Sequence, residues 1–166
     1  IPTTGLRFFT VYGPAGRPDM AYFSFTRRIL ACEPIQVFNH GDMYRDFTFI
    51  DDIVSGIMNM VGRPPAGPDP AKVYNIGNNK PVKLMDFIEA LQAALGEAYG
   101  REIRAKIEYL PMQPGDVYQT YADVEPLIRD FGFKPNTGIR EGLGVFAAWY
   151  RAYYGDAAGE TEGRSS

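Results

Sequence analysis

The sequence predicts a mixed α/β protein, and three observations lead there. Short runs rich in β-branched and aromatic residues alternate with amphipathic stretches of helical period, the runs are irregularly spaced without a repeat, and glycine and proline separate them. The 166 residues suffice for one compact domain and not for two full ones.

The elements follow in order. Residues 4–12 read as a mostly buried strand that stops at Gly13-Pro14, and the loop GPAGRP carries Arg17 between glycine and proline. From residue 18 a helical pattern runs to Cys32, with Met20, Phe23, Ile29 and Leu30 on one side and Glu33-Pro34 closing it. Residues 35–38 form a short strand and His40-Gly41-Asp42 a turn. Residues 47–50 form a second strand, leading into a helix capped by Asp51 or Asp52 that ends near Gly62. Four prolines within residues 63–72 mark an exposed connection, followed by a strand at 73–76. Leu84, Phe87, Ile88, Leu91 and Leu95 then form one helix face, with Gly96 as its stop. Residues 103–110 alternate as a strand, 120–122 make a brief extended piece, and Asp123 caps a helix that reaches Phe131 before Gly132. Thr137 offers a cap for the last helix, whose Ile139, Leu143, Phe146, Tyr150 and Tyr153 share one face. Trp149 and its neighbouring tyrosines are expected to pack on the sheet. From Gly155 the chain is a polar tail without apolar anchors, expected to be disordered.

The strands at 4–12 and 73–76 are apolar enough to lie in a sheet covered on both faces, yet the chain supplies few partners for them. It also begins without methionine, almost directly on a strand. The expectation is a fragment whose upstream half is missing.

Composition narrows the function classes. Hydrophobic residues at 45% and charged residues at 22% are the proportions of a folded globular body. A net charge of −3 supplies no basic field to draw in nucleic acid or an anionic membrane. The single cysteine, Cys32, excludes an internal disulfide framework and fits a reducing compartment; its place near a helix end reads as a small core residue. The single histidine, His40, excludes a multi-histidine metal site and reads as a solvated or capping side chain. No apolar run approaches the roughly eighteen residues needed to span a bilayer, and no signal peptide opens the sequence.

Catalytic patterns are sparse: there is no nucleophile elbow, no Walker loop and no glycine-rich turn joining strand to helix. The chain reads as a binder rather than a self-contained catalyst. Thr10, Arg17, Arg45 and Asp116 stand out as polar and charged residues at loop and strand ends. An arginine held there can clamp a carboxylate or phosphate with two hydrogen bonds, and two from separate loops can bracket a diphosphate. The same residue types also read as surface arginines in ordinary ion pairs, Arg45 with Asp46 or Asp42.

The strings LRFFTVYGPAGRPDMA, IQVFNHGDMYRDFTFIDDIVSGI, VYNIGNNKPVKLMDFIEALQ, PMQPGDV and TYADVEPLIRDFGFKPNT carry a resemblance over residues 3–154. They resemble the C-terminal part of the extended short-chain dehydrogenase/reductases, with the UDP-glucuronate 4-epimerases as the nearest likeness. The RDF-x-x-IDD piece is common to many nucleotide-sugar epimerases and dehydratases, whereas FFTVYGP, GRPDMA and PMQPGDV together are more specific. The fold this implies is the last strands of a Rossmann-like doubly wound sheet plus a small mixed α/β substrate-binding domain over residues 1–154.

The implied reaction uses bound NAD: the sugar C4 hydroxyl is oxidised to a 4-keto intermediate, the sugar turns, and hydride returns to the other face, interconverting UDP-glucuronate and UDP-galacturonate. In such proteins the glycine loop for NAD and the Tyr-x-x-x-Lys pair lie upstream of the matching segment, so this chain by itself is expected to be inactive. The resemblance further implies a cytoplasmic, homodimeric parent with no nucleic-acid or membrane partner. A UDP-glucuronate decarboxylase, a UDP-glucose 4-epimerase or a non-catalytic nucleotide-sugar binding fragment are the alternatives.

Residue by residue, the resemblance places Phe9 at the nicotinamide end of NAD and Thr10 at the sugar ring. It places Arg17 at the glucuronate carboxylate, which after C4 oxidation belongs to a β-keto acid that loses carbon dioxide unless charge and hydrogen bonds hold it, with Thr10 as a second donor. Asp19 and Met20 lie beside phosphates and ribose at a helix start, Gln36 and Phe38 at the uracil, and Leu84 as a wall near the nucleoside. Arg45 contacts the diphosphate, while Gln113 and Asp116 reach the diphosphate and ribose hydroxyls. Gln113 stands where many UDP-galactose epimerases have arginine.

Overall fold

A computed structural model describes residues 1–66, 68 and 70–155. Among the described residues, eight strands and five α-helices alternate along the chain, so the mixed α/β class holds. The strands are β1 (Thr3–Phe8), β2 (Thr10–Tyr12), β3 (Pro34–Val37), β4 (Tyr44–Arg45), β5 (Phe47–Phe49), β6 (Ala71–Ile76), β7 (Val82–Lys83) and β8 (Lys106–Tyr109). The helices are α1 (Ala21–Leu30), α2 (Ile50–Val61), α3 (Leu84–Tyr99), α4 (Glu125–Phe131) and α5 (Ile139–Tyr154).

Pairing is mostly parallel. β1 runs with β6, β2 with β5 and β3 with β8, while β4 and β7 are antiparallel. Parallel partners require a crossover, and α1 lies in the connection from β2 to β5. Two apolar clusters result. The larger unites Tyr12, Phe47 and Phe49 of β2 and β5 with Phe23 of α1, Phe87 and Leu91 of α3, and Phe146 of α5. The smaller joins Ile53 and Met60 of α2 to Tyr74 and Ile76 of β6 and to Leu127 and Phe131 of α4. Ile50, opening α2, packs against both.

Several expectations shift. The run at 4–12 is two strands rather than one, broken at Phe9, because β1 follows β6 whereas β2 turns to β5. Nor is β1 mostly buried: Phe8 is 49% exposed, with β6 along one edge. α1 begins at Ala21 instead of residue 18, since the Met20 N–H closes a turn on the Arg17 carbonyl and Met20 itself stays extended. Cys32 is exposed, not core, because it takes a left-handed φ of 56° where the chain leaves α1. β3 stops at Val37, and Phe38 opens a short 3-10 turn that includes His40, exposed and stacked on Tyr109.

Helix ends shift for related reasons. Neither Asp51 nor Asp52 caps α2, whose N-cap is Phe49. Asp52 Oδ2 instead accepts the Thr137 N–H at 2.9 Å, which ties the start of α2 to that of α5. α5 is capped by Gly138 without a side-chain bond, so Thr137 serves through its backbone instead of its hydroxyl. Gly96 lies inside α3, which runs on to a left-handed Gly100. A Cβ at Gly96 would come within 3.2 Å of the Arg101 carbonyl, so its glycine lets the chain fold back onto the helix. The N-cap of α4 is Val124 and not Asp123, although Asp123 Oδ1 accepts the Glu125 N–H at 3.1 Å. The extended piece near 120 makes one bridge, Gln119 to Tyr44.

α5 packs chiefly on α3, not on a sheet, through Leu143, Phe146 and Tyr150. Tyr153 leaves their face and is 70% exposed, stacked on Trp149. Apart from Gly155, the tail expected to be disordered lies outside the described residues. No described helix is long and apolar enough to cross a membrane, and no described group of His, Cys, Asp and Glu side chains is placed to hold a metal ion.

Candidate functional site: a cleft beside β2 and α1

The site begins with the break at Phe9. Successive side chains of an extended segment point to opposite sides, and here Thr10 enters a cleft of about 190 Å³ while Phe9 lines a neighbouring cavity of about 370 Å³. Met20, extended just before α1, lines both. A wider trough through Phe9, Thr10 and Met20 joins them.

The 190 Å³ cleft gathers Thr10 and Met20 with Gln36 from β3, Phe38 from the following turn and Arg45 from β4. Leu84, at the first turn of α3, and Asp116, on the loop after β8, complete the predicted set found there. Arg45 and Asp116 form its polar end. Nη2 donates to Asp116 Oδ1 at 2.7 Å, and Nη1 donates to the Tyr44 and Tyr118 carbonyls at 2.9 and 3.3 Å. The Arg45 side chain is only 19% exposed, so its partner is Asp116 rather than Asp46 or Asp42, and the pair is not an ordinary surface one. Gln36 donates to Glu108, its register partner on β8, at 3.3 Å.

Phe9 and Arg17 line the larger cavity with Tyr12 and Tyr22. Burial raises both tyrosine hydroxyl pKa values above the usual range and keeps them neutral. Asp19 lines neither cavity: it pairs with Arg17, whose Nε donates to Oδ1 at 3.0 Å while Nη2 reaches Oδ2. The pair is exposed, and its hydrogen bond lowers the Asp19 pKa and raises that of Arg17. Gln113 is also outside, at the turn where its carbonyl accepts the Asp116 N–H at 3.2 Å.

Sequence reasoning missed the apolar wall of Phe25, Met43 and Phe47. Phe25 sits four residues after Ala21 on the cleft side of α1, a spacing that was visible, but Phe47 read only as the start of a strand. It also missed Asp46, which is fully buried next to Arg45. Asp46 Oδ2 accepts the N–H groups of Asn79 and Ala122 at 3.0 and 3.1 Å. Burial raises its pKa, and those backbone donors oppose the rise.

Comparison with known proteins shows what the chain is similar to. The model of the NAD dependent epimerase/dehydratase family matches residues 1–77. Protein CapI of Staphylococcus aureus is 51% identical over 168 residues, covering 93% of this chain and 48% of that protein. Residues 1–77 carry the match to that family, and the chain as a whole is similar to proteins that contain it. UDP-glucuronate 4-epimerase 1 of Arabidopsis thaliana is 42% identical, with 92% of this chain and 37% of that protein covered. Among solved structures, the UDP-glucuronic acid 4-epimerase of Bacillus cereus in complex with UDP-glucuronic acid and NAD superposes with a TM-score of 0.75. It is 30% identical, with 93% of this chain and 46% of that one covered. The chain thus spans about half the length of the family members it matches. Its parallel strand pairs and helices match the family's Rossmann-like fold.

Proposed function

We propose that residues 1–154 form the UDP-sugar-binding portion of an NAD-dependent UDP-glucuronate 4-epimerase, a cytoplasmic homodimer as the complete protein. The observation that carries the reading is the Arg45–Asp116 pair closing one end of an otherwise apolar cleft whose other polar groups are Thr10 and Gln36. Such a cleft suits a ligand with an anionic middle and flat apolar ends.

Arg45 takes the diphosphate, helped by the backbone N–H groups at the start of α1, which no side chain caps. Asp116 accepts from the ribose hydroxyls. Gln36 reads the uracil edge, Phe38 covers its face, and Leu84 and Phe47 complete the apolar wall. Thr10 donates to the sugar, whose carboxylate meets Arg17 once the guanidinium exchanges Asp19 for it.

NAD supplies the hydride chemistry when bound. This chain offers its nicotinamide end Phe9 and the apolar wall of Phe8, Val11 and Tyr12, but it has no glycine-rich phosphate loop. The cofactor therefore fits this chain as an edge contact only, and the isolated chain is inactive.

The test is to incubate the complete reading frame containing this chain with UDP-glucuronate, identify the product by NMR and monitor carbon dioxide. UDP-galacturonate without gas is expected. UDP-xylose would assign a decarboxylase, and unchanged substrate would reject the proposed sugar.

A further inference from the structure

Asp46 is fully buried and lies between two strands too short to hold their own geometry, β4 and β5. Its Oδ2 collects N–H groups from two distant segments, Asn79 at 3.0 Å and Ala122 at 3.1 Å. Its own N–H donates to Thr120 Oγ1 at 3.2 Å. Gly77 leaves room for this hub, because a Cβ there would approach Asp46 Oδ2 to 2.8 Å. Oδ1 has no hydrogen-bond partner among the described residues, so the carboxylate is held by the side that grips the backbone.

The gripped segment is the one that delivers Asp116. From Asp116 to Ala122 it runs along β4: the Tyr44 N–H donates to the Tyr118 carbonyl at 2.9 Å, and the Thr120 N–H to the Tyr44 carbonyl at 3.3 Å. Arg45 joins the same segment through the Tyr118 carbonyl. Apart from the bridge at Gln119, the described residues of this segment belong to no strand, so side-chain ties add to the two backbone hydrogen bonds on Tyr44 in holding it.

We propose that Asp46 is a positioning residue for the nucleotide cleft: by accepting the Asn79 and Ala122 N–H groups it fixes residues 116–122 against β4 and thereby sets the Arg45–Asp116 pair. The inference rests on the reading of that cleft as the UDP site.

The test uses the complete reading frame containing this chain, with UDP itself as the probe, and compares Asp46→Ala, Asp46→Asn and each in an Asp116→Ala background. An asparagine oxygen can accept the same two N–H groups, whereas alanine leaves both buried without an acceptor. Asp46→Ala is expected to weaken UDP binding about tenfold and Asp46→Asn by less than about twofold. In the Asp116→Ala background, Asp46→Ala is expected to cost less than about twofold, because positioning acts through that pair. Equal losses in both backgrounds, or equal losses for Asn and Ala, overturn the proposal.

If Asp46→Ala fails to fold, Thr120→Val replaces it, with about a threefold loss expected that again vanishes without Asp116. A second readout is independent of UDP. The guanidinium N–H signals of Arg45, followed by ¹⁵N NMR, should lose their protection from exchange in Asp46→Ala or Thr120→Val and keep it in Asp46→Asn. Unchanged protection overturns the proposal. A wild-type protein that fails to bind UDP rejects the reading of the cleft, and the Arg45 signals then decide the role of Asp46 alone.

Discussion

Arg45 and Asp116 lie 71 residues apart in the chain and 2.7 Å apart in the fold, Nη2 of the arginine donating to Oδ1 of the aspartate. Two backbone carbonyls hold the other guanidinium nitrogen. An arginine fixed this way presents its charge to the cleft without first having to be ordered, which is the form in which a cation binds an anion most effectively.

Arg45→Ala is expected to weaken UDP binding by about 1.5–3 kcal/mol, the range for a hydrogen bond to a charged group. Arg45→Lys should recover only part, because an ammonium cannot span Asp116 and two carbonyls as a planar fork does. Isothermal titration with UDP measures both, and wild-type affinity in Arg45→Ala would remove Arg45 from the site.

Arg17→Ala should separate ligands by their sugar. Affinity for UDP-glucuronate is expected to fall by about 1–2 kcal/mol while affinity for UDP stays unchanged, since only the former carries the carboxylate that Arg17 would clamp. Competition binding with the two ligands checks this, and equal losses would count against the carboxylate role.

The acid-side stability profile carries two opposite contributions. Hydrogen bonds from Arg129 and Tyr74 hold the Asp130 carboxyl down at about 2, below the ordinary value near 3.9. Its contribution is therefore present above about pH 4 and lost as pH falls through about 2. Asp46 is raised by burial, so its contribution is present below its ordinary value and lost as pH rises through the folded value. Urea midpoints between about pH 2 and pH 7 are expected to depend less steeply on pH at the acid end in Asp130→Asn. In Asp46→Asn, stability relative to wild type should improve as pH rises. A profile unaltered by Asp130→Asn would contradict the first assignment.

Phe87→Ala should cost about 3–5 kcal/mol in urea unfolding, the usual range for removing a fully buried aromatic ring. The ring is wholly buried and stacks on Phe47 at 4.3 Å between centroids, and Phe47 is a wall of the cleft. UDP affinity should therefore fall with stability. Tyr153→Ala, on an exposed ring, should stay within about 0.5 kcal/mol of wild type, and a loss as large as that of Phe87→Ala would show that α5 packs differently.

Local signals were enough for much of the architecture. The helix face of Leu84, Phe87, Ile88 and Leu91 is set by spacing alone, because burying one apolar side of a helix needs no knowledge of its partner. The glycine stops at Gly62 and Gly132 are equally local. For the site, the resemblance named Thr10, Met20, Gln36, Phe38, Arg45, Leu84 and Asp116, and the fold brings these seven into one cleft.

Other features depended on partners far away in the chain. The break at Phe9 exists because β1 and β2 follow different neighbours, β6 and β5, a choice that no stretch of nine residues can encode. Asp52 gave up capping for the Thr137 N–H, and Arg45 found Asp116 in place of the adjacent Asp46. Asp46 itself read as a surface charge until two backbone N–H groups from separate loops were seen to converge on it. The physical reason is common to all of these. Periodicity is short-range, so sequence by itself determined most helix faces and the α/β class, whereas strand partnership, several caps and the satisfaction of buried polar groups were decided only when distant segments met in the tertiary structure.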